Sequence, residues 1–144
     1  MIYLLDTNVL SEAWKPKPDG KVIAWLESEE WFLPAPVIAE IQEGAEADPS
    51  EARRAQINAK LDQLLSEQPG SVLPWDADTA RIWGRLKHSE EVKRKPQALW
   101  DSLIDAMAVA LEAKVATRNT ADFRHATTFN PWTGSEHPPT QAGT

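Results

Sequence analysis

The sequence of 144 residues contains no cysteine, which excludes disulfides, thiolate metal sites and cysteine nucleophiles. Nowhere does an apolar run approach the ~18 residues of a membrane-spanning helix. No basic segment precedes the short apolar run at the N-terminus, so no signal peptide is expected. A chain without thiols suits a reducing compartment, and a cytoplasmic location away from membranes is the expectation. There is no glycine-rich phosphate loop and no G-x-S-x-G elbow, which removes the common nucleotide-binding and serine-hydrolase signatures. His88, His125 and His137 are the only histidines, and they lack ligand spacing. An excess of positive charge is also missing: 15 Lys and Arg stand against 22 Asp and Glu, for a net charge of −7. Such a chain repels nucleic acid unless its charges are segregated or a cation intervenes.

What remains is an ordinary globular composition, 42% hydrophobic and 26% charged, of a length that suits one domain with a real core. Met1-Ile-Tyr-Leu-Leu5 is apolar without alternation, as in a strand buried on both faces. Asp6-Thr-Asn8 ends it with residues that favour turns and caps. Further strands are expected at Trp31–Leu33, Ser71–Leu73, Lys114–Thr117 and Thr127–Phe129. Helices are expected around Val9–Trp14, over Val22–Leu26, after Pro36, over Glu51–Ser66, after Asp76, and through Ile104–Leu111. Glu51–Ser66 has the clearest apolar face, with Ile57, Leu61, Leu64 and Leu65 at helical spacing. Residues 133–144 carry two prolines and no large apolar side chain, so a flexible tail is expected after a domain over residues 1–132. The alternation is that of an α/β domain with a short, mostly parallel sheet.

Ligands of an open parallel sheet bind beyond the carboxyl ends of its strands. Asp6 follows the first strand, and Thr117, Asn119 and Asp122 follow a late one. Glu40 and Asp101 fall near helix starts that face the same edge. Asp6, Glu40, Asp101 and Asp122 therefore form a candidate carboxylate cluster. Taken singly, each has an ordinary reading as a cap, a solvated helix residue or a turn former. As a group, close like charges need a cation, and hard oxygen donors without Cys or His suit Mg²⁺, with Mn²⁺ as the alternative, rather than zinc. An ion so held activates water and stabilises a phosphodiester transition state, and it bridges an acidic pocket to an anionic backbone.

Leu4-Leu-Asp-Thr-Asn-Val-Leu-Ser-Glu12 resembles the opening of PIN-domain toxins of the VapC family, especially the FitB-like branch. The resemblance continues through Val37-Ile-Ala-Glu-Ile41, Val72-Leu-Pro-Trp-Asp76, Asp101-Ser-Leu-Ile104, Val115-Ala-Thr-Arg-Asn-Thr-Ala-Asp-Phe123 and Asn130-Pro-Trp132, in register from about residue 2 to 132. It implies a PIN-like α/β/α sandwich and a Mg²⁺-dependent endoribonuclease, the toxin of a type II toxin–antitoxin pair. It implies Asp6, Glu40, Asp101 and Asp122 as the catalytic acids, with Asp6, Asp101 and Asp122 holding the metal and Thr7, Asn8, Thr117 and Asn119 in support. It implies a homodimer, a cognate VapB-like antitoxin in a heteromeric complex, and contact with promoter DNA only through that antitoxin. Among basic residues, Arg53, Arg54, Lys93, Arg94, Lys95 and Arg118 are the candidates to track RNA phosphates, with Lys93-Arg-Lys95, just upstream of Asp101, having the best claim. Two residues depart from the family pattern: Asp105, one helical turn after Asp101, reads either as a solvated or Arg-paired acid or as an extra acid at the metal, and Glu43 stands where relatives carry a basic or polar residue. Trp25, Trp83 and Trp132 read as core or dimer-interface residues, and Trp14 or Trp31 as surface anchors for a partner. The alternative readings are a PIN-like binding module that assembles the antitoxin and promoter complex with little nuclease activity, and another metal-dependent phosphoesterase.

Overall fold

The computed structural model describes residues 2–89 and 96–140. Its elements are β1 (Tyr3–Leu5), α1 (Thr7–Ala13), α2 (Gly20–Ser28), β2 (Trp31–Pro34), α3 (Ala35–Ala47), α4 (Glu51–Glu67), β3 (Val72–Leu73), α5 (Ala77–Lys87), α6 (Leu99–Leu111), β4 (Lys114–Ala116), β5 (Thr128–Asn130) and β6 (Ser135–His137). The strands form one sheet in the order β3-β2-β1-β4-β5-β6. All neighbours are parallel except β5 and β6. This is the α/β/α arrangement that the sequence pattern implies.

The unalternating apolar run of β1 is explained by its place in the middle of the sheet. Leu4 lies opposite Phe32 on one side and Val115 on the other. Leu4 and Leu5 have no exposed surface, and Val115, Ala116, Leu33, Val37, Ile104 and Phe123 share their core. Fully burying side chains of the Leu and Ile kind contributes about 1.5–3 kcal/mol each. Tyr3, Trp25 and Phe129 close one flank: Trp25 meets Tyr3 edge-on at 5.0 Å and stacks on Phe129 at 5.7 Å.

The helix starts follow local chemistry. Asp19 accepts from the N–H groups of Lys21 and Val22 to cap α2, Ser50 accepts from Arg53 to cap α4, and Asp76 accepts from Thr79 to cap α5. Pro36 fits the first turn of α3, where its missing N–H costs nothing.

The helix expected over Glu51–Ser66 forms as α4, with Leu61 buried, Ile57 and Leu64 packed against the core and Leu65 41% exposed. It packs on α3. One expectation is corrected. The tail expected from residue 133 instead turns back. Gly134, at φ 77°, makes a reversal that other residues adopt only with strain, and Ser135–His137 then pairs antiparallel with β5. The strand is held by backbone pairing and by an ion pair from Lys114 to Glu136, not by apolar burial, so composition gave no sign of it.

Asp105 fits neither reading made from its spacing. It has no exposed surface, and its carboxylate accepts from the backbone N–H groups of Arg124, His125 and Ala126 and from Gln97 Nε2. Gln97 Nε2 also donates to the carbonyl of Asp122 at 2.8 Å. The side chain thus ties α6 to the loop that carries Asp122 into β5. Asp105→Ala strands several buried donors, each costing about 1–3 kcal/mol. A loss of about 3 kcal/mol or more by urea unfolding, equal with and without Mg²⁺, is expected; a loss below about 1 kcal/mol would contradict the clamp.

Candidate active site

The site grows from the point where β1 ends. The Asp6 N–H still donates to the Ala116 carbonyl at 3.0 Å, continuing the β1–β4 ladder by one residue. Its side chain then caps α1 by accepting from the Thr7 N–H at 2.8 Å. One residue therefore ends a central strand, starts a helix and points a carboxylate at the edge of the sheet. Parallel β2 lies on one side of β1 and β4 on the other, the switch point at which such sheets open a crevice.

A polar frame fixes this carboxylate. Thr117 Oγ1, fully buried just after β4, donates to Asp6 Oδ2 at 2.8 Å. That hydroxyl accepts from Asn8 Nδ2 at 3.3 Å and from the Asn119 N–H at 3.0 Å. Asn8 Nδ2 also donates to Asp6 Oδ2, and Asn8 Oδ1 accepts from the Arg118 N–H. Thr7 Oγ1 donates to Glu40 Oε1, bringing α3 to the same place. All four expected supporting residues, Thr7, Asn8, Thr117 and Asn119, lie in this network.

Asp6, Glu40 and Asp101 line one cavity of ≈ 390 Å³. Asp122 is exposed and lines an adjoining cavity of ≈ 300 Å³ together with Asp101, so Asp101 stands between the two. Burial and mutual repulsion both act on these groups. Burial pushes the Asp101 carboxyl up to about 7, and the charges of Asp6, Asp122, Glu40 and Asp105 push the same way. Asp6 is also raised, chiefly by burial, with its hydrogen bonds from Thr117 and Thr7 opposing the shift and the charges of Glu40 and Asp122 adding to it. Among the described residues, no Lys or Arg forms an ion pair with Asp6, Glu40 or Asp101.

The donor set is that of a hard cation. Carboxylates, hydroxyls and amides line the cavity together with Lys15, Arg118 and Trp132, and no histidine does. Such oxygen donors suit a hard divalent cation that keeps several of its waters.

Other residues of the cavity were read differently from sequence or passed over. Glu12, 6% exposed, accepts from Lys15 Nζ at 2.9 Å and from the Asp19 N–H at 3.0 Å. Those bonds, Lys15's first, hold its carboxyl below the usual range and fold the loop after α1 against the cavity. Trp132 was expected in the core or at a dimer interface. It packs against the core and also lines the acid cavity, with the Arg118 guanidinium carbon 4.9 Å from its ring centre. Glu12 and Trp132 each end a quoted motif, which was the available signal. Trp25 is in the core as expected, whereas Trp14 and Trp31 pack against it rather than standing free. Trp83 donates to Ser102 Oγ and joins α5 to α6. Glu43 is exposed. Lys93, Arg94 and Lys95 lie outside the described residues.

The fold and this acid pocket are those of a nuclease-like α/β/α domain, and comparison with known proteins agrees. The PIN domain model matches residues 3–127, and the chain belongs to the PIN-domain family, in its VapC branch. It is 38% identical over 135 residues to the VapC ribonuclease Y4jK of Sinorhizobium fredii, covering 90% of this chain and 96% of that protein. It is 35% identical over the same length to the toxin FitB of Neisseria gonorrhoeae, covering 90% and 97%. The crystal structure of FitAcB from N. gonorrhoeae superposes with a TM-score of 0.78 at 34% identity, over 92% of this chain and 99% of that one. VapBC2 of Rickettsia felis, bound to a DNA fragment from its promoter, superposes with a TM-score of 0.73 at 26% identity, over 90% and 98%.

The raised Asp101 gives a pH prediction for the metal-free protein. The folded chain holds this proton at higher pH than the unfolded chain does, so ionising Asp101 between about pH 4 and 7 costs the folded state stability. Asp101→Asn removes that cost. In chelator, the melting temperature of the variant relative to the wild type should rise from pH 4 to pH 7 and level off above. A difference that stays constant with pH would contradict the shift.

Proposed function

We propose that the chain is the toxin of a type II toxin–antitoxin pair and acts as a Mg²⁺- or Mn²⁺-dependent endoribonuclease. The observation that carries this reading is the acid cavity itself. Asp6, Glu40 and Asp101 line one pocket with no described ion pair, and Asp101 is pushed up to about 7. Lys15 and Arg118 also line the cavity but form no described ion pair with these three acids, and packed carboxylates not paired directly are unfavourable unless a cation joins them. The printed functions of the relatives, a VapC ribonuclease and a toxin, support the same reading.

In this account Asp6 and Asp101 hold the ion, and Asp122 approaches from the Asp101 side. The ion, when bound, supplies an activated water and positive charge for the developing phosphorane oxygens. Thr117 and Asn8 keep the Asp6 carboxylate in one orientation through hydrogen bonds at 2.8 and 3.2 Å. Thr7 orients Glu40, which would serve as the general base toward the attacking water. Arg118, exposed at the rim, offers the positive charge that an RNA phosphate needs beside an acidic pocket.

The partner reading rests on the relatives solved as complexes, FitAcB and VapBC2. We assign this chain a VapB-like antitoxin partner and a homodimeric state in that assembly, with promoter DNA contacted only by the antitoxin.

Purified protein incubated with total cellular RNA should cleave it with Mg²⁺ and stop in chelator. Asp6→Asn and Asp101→Asn should each lower the rate by at least about 100-fold, as expected when several kcal/mol of charge stabilisation are lost. Undiminished cleavage in both variants would contradict the assignment.

A further inference from the structure

Arg118 and Trp132 are joined in a way that phosphate attraction alone does not require. The guanidinium carbon lies 4.9 Å from the Trp132 ring centre, within the range of a cation–π contact. Both residues line the cavity that holds Asp6, Glu40 and Asp101. Arg118 is exposed and makes no ion pair among the described residues, although its charge acts on Glu12 in the same cavity. Both members are held at the backbone. The Arg118 N–H donates to Asn8 Oδ1 at 3.2 Å, and Asn8 is also bonded to Asp6. The Trp132 N–H donates to Asn130 Oδ1 at 2.9 Å, and its ring packs against the core. The guanidinium therefore lies against the Trp132 ring, and Arg118 is registered, through one side chain, on the innermost acid.

We propose that Arg118, backed by Trp132, is a nucleobase platform that stacks the unpaired base next to the cleaved phosphodiester bond; the substrate segment is accordingly single-stranded at that nucleotide. This rests on the endoribonuclease reading and deepens it. Guanidinium planes stack on splayed-out bases as aromatic rings do, and a base in a duplex cannot offer its face in this way. Arg118 contacts the base; Trp132 is a positioning residue that acts through it. The alternative occupant, a segment of a protein partner, has no reason to distinguish a base from its absence.

The test compares two fluorescein-labelled oligomers of equal length and charge, dodeca-adenylate RNA and its counterpart without bases, with Ca²⁺ in place of Mg²⁺. Anisotropy should show the wild type binding the base-bearing oligomer roughly 5- to 100-fold more tightly. Arg118→Lys keeps the charge and loses the plane, so it should retain affinity for the abasic oligomer while closing most of the gap. Trp132→Leu should narrow the same gap, with its fold checked by thermal melting. Because Arg118 is exposed, the lysine variant tests the platform even where the tryptophan variant unfolds. No gap in the wild type, no binding of either oligomer, or a gap intact in Arg118→Lys would overturn the platform. A gap that closes as expected in a protein that cleaves no RNA would retain the platform and remove the nuclease reading instead.

Discussion

The bond from Thr117 Oγ1 to Asp6 Oδ2, 2.8 Å long and buried, is the interaction on which the site depends. It joins the ends of two central strands at the edge where both open towards solvent. Burial works against a charge at Asp6, and neighbouring acids add to the cost. The hydroxyl, the helix-capping N–H of Thr7 and the amide of Asn8 offset part of that cost and leave the carboxylate in a fixed orientation. An acid held in this way is oriented for a cation by the protein itself.

Around that bond the fold arranges its other acids by different routes. Glu40 arrives on α3 through Thr7, Asp101 on the first turn of α6, and Asp122 on a loop that Asp105 secures from below. The division of labour between Asp101 and Asp105 is decided by depth. One turn apart on the same helix, the first is half-buried at the cavity and the second has no exposure and is saturated by backbone N–H groups. The same residue type serves the site in one position and the scaffold in the other.

Much of this was legible in the sequence, because the signals were local. The apolar run before Asp6, the proline at the start of α3 and the helix that begins after Asp76 are each read from a few neighbouring residues. Strand topology already placed Thr117 and Asn119 at the same sheet edge as Asp6, but the supporting role of Thr7, Asn8, Thr117 and Asn119 was legible only through the resemblance, since nothing in spacing predicts the bond from Thr117 to Asp6 across 111 residues. What escaped was non-local or weakly encoded. Strand β6 is polar and relies on pairing with β5, and Leu65 has helical periodicity without a surface to bury against. The place of Trp132 beside Arg118 depends on how the chain returns after β5, which neither residue's type reveals.

The central claim is that these carboxylates are arranged for a divalent cation. Titration of Mn²⁺ into the purified protein, followed by electron paramagnetic resonance of the free ion, tests it without reference to any substrate. The account predicts saturable binding that Mg²⁺ competes away and that is lost in Asp6→Asn and in Asp101→Asn. Absence of binding by the folded wild type, or binding unchanged in both variants, would contradict it.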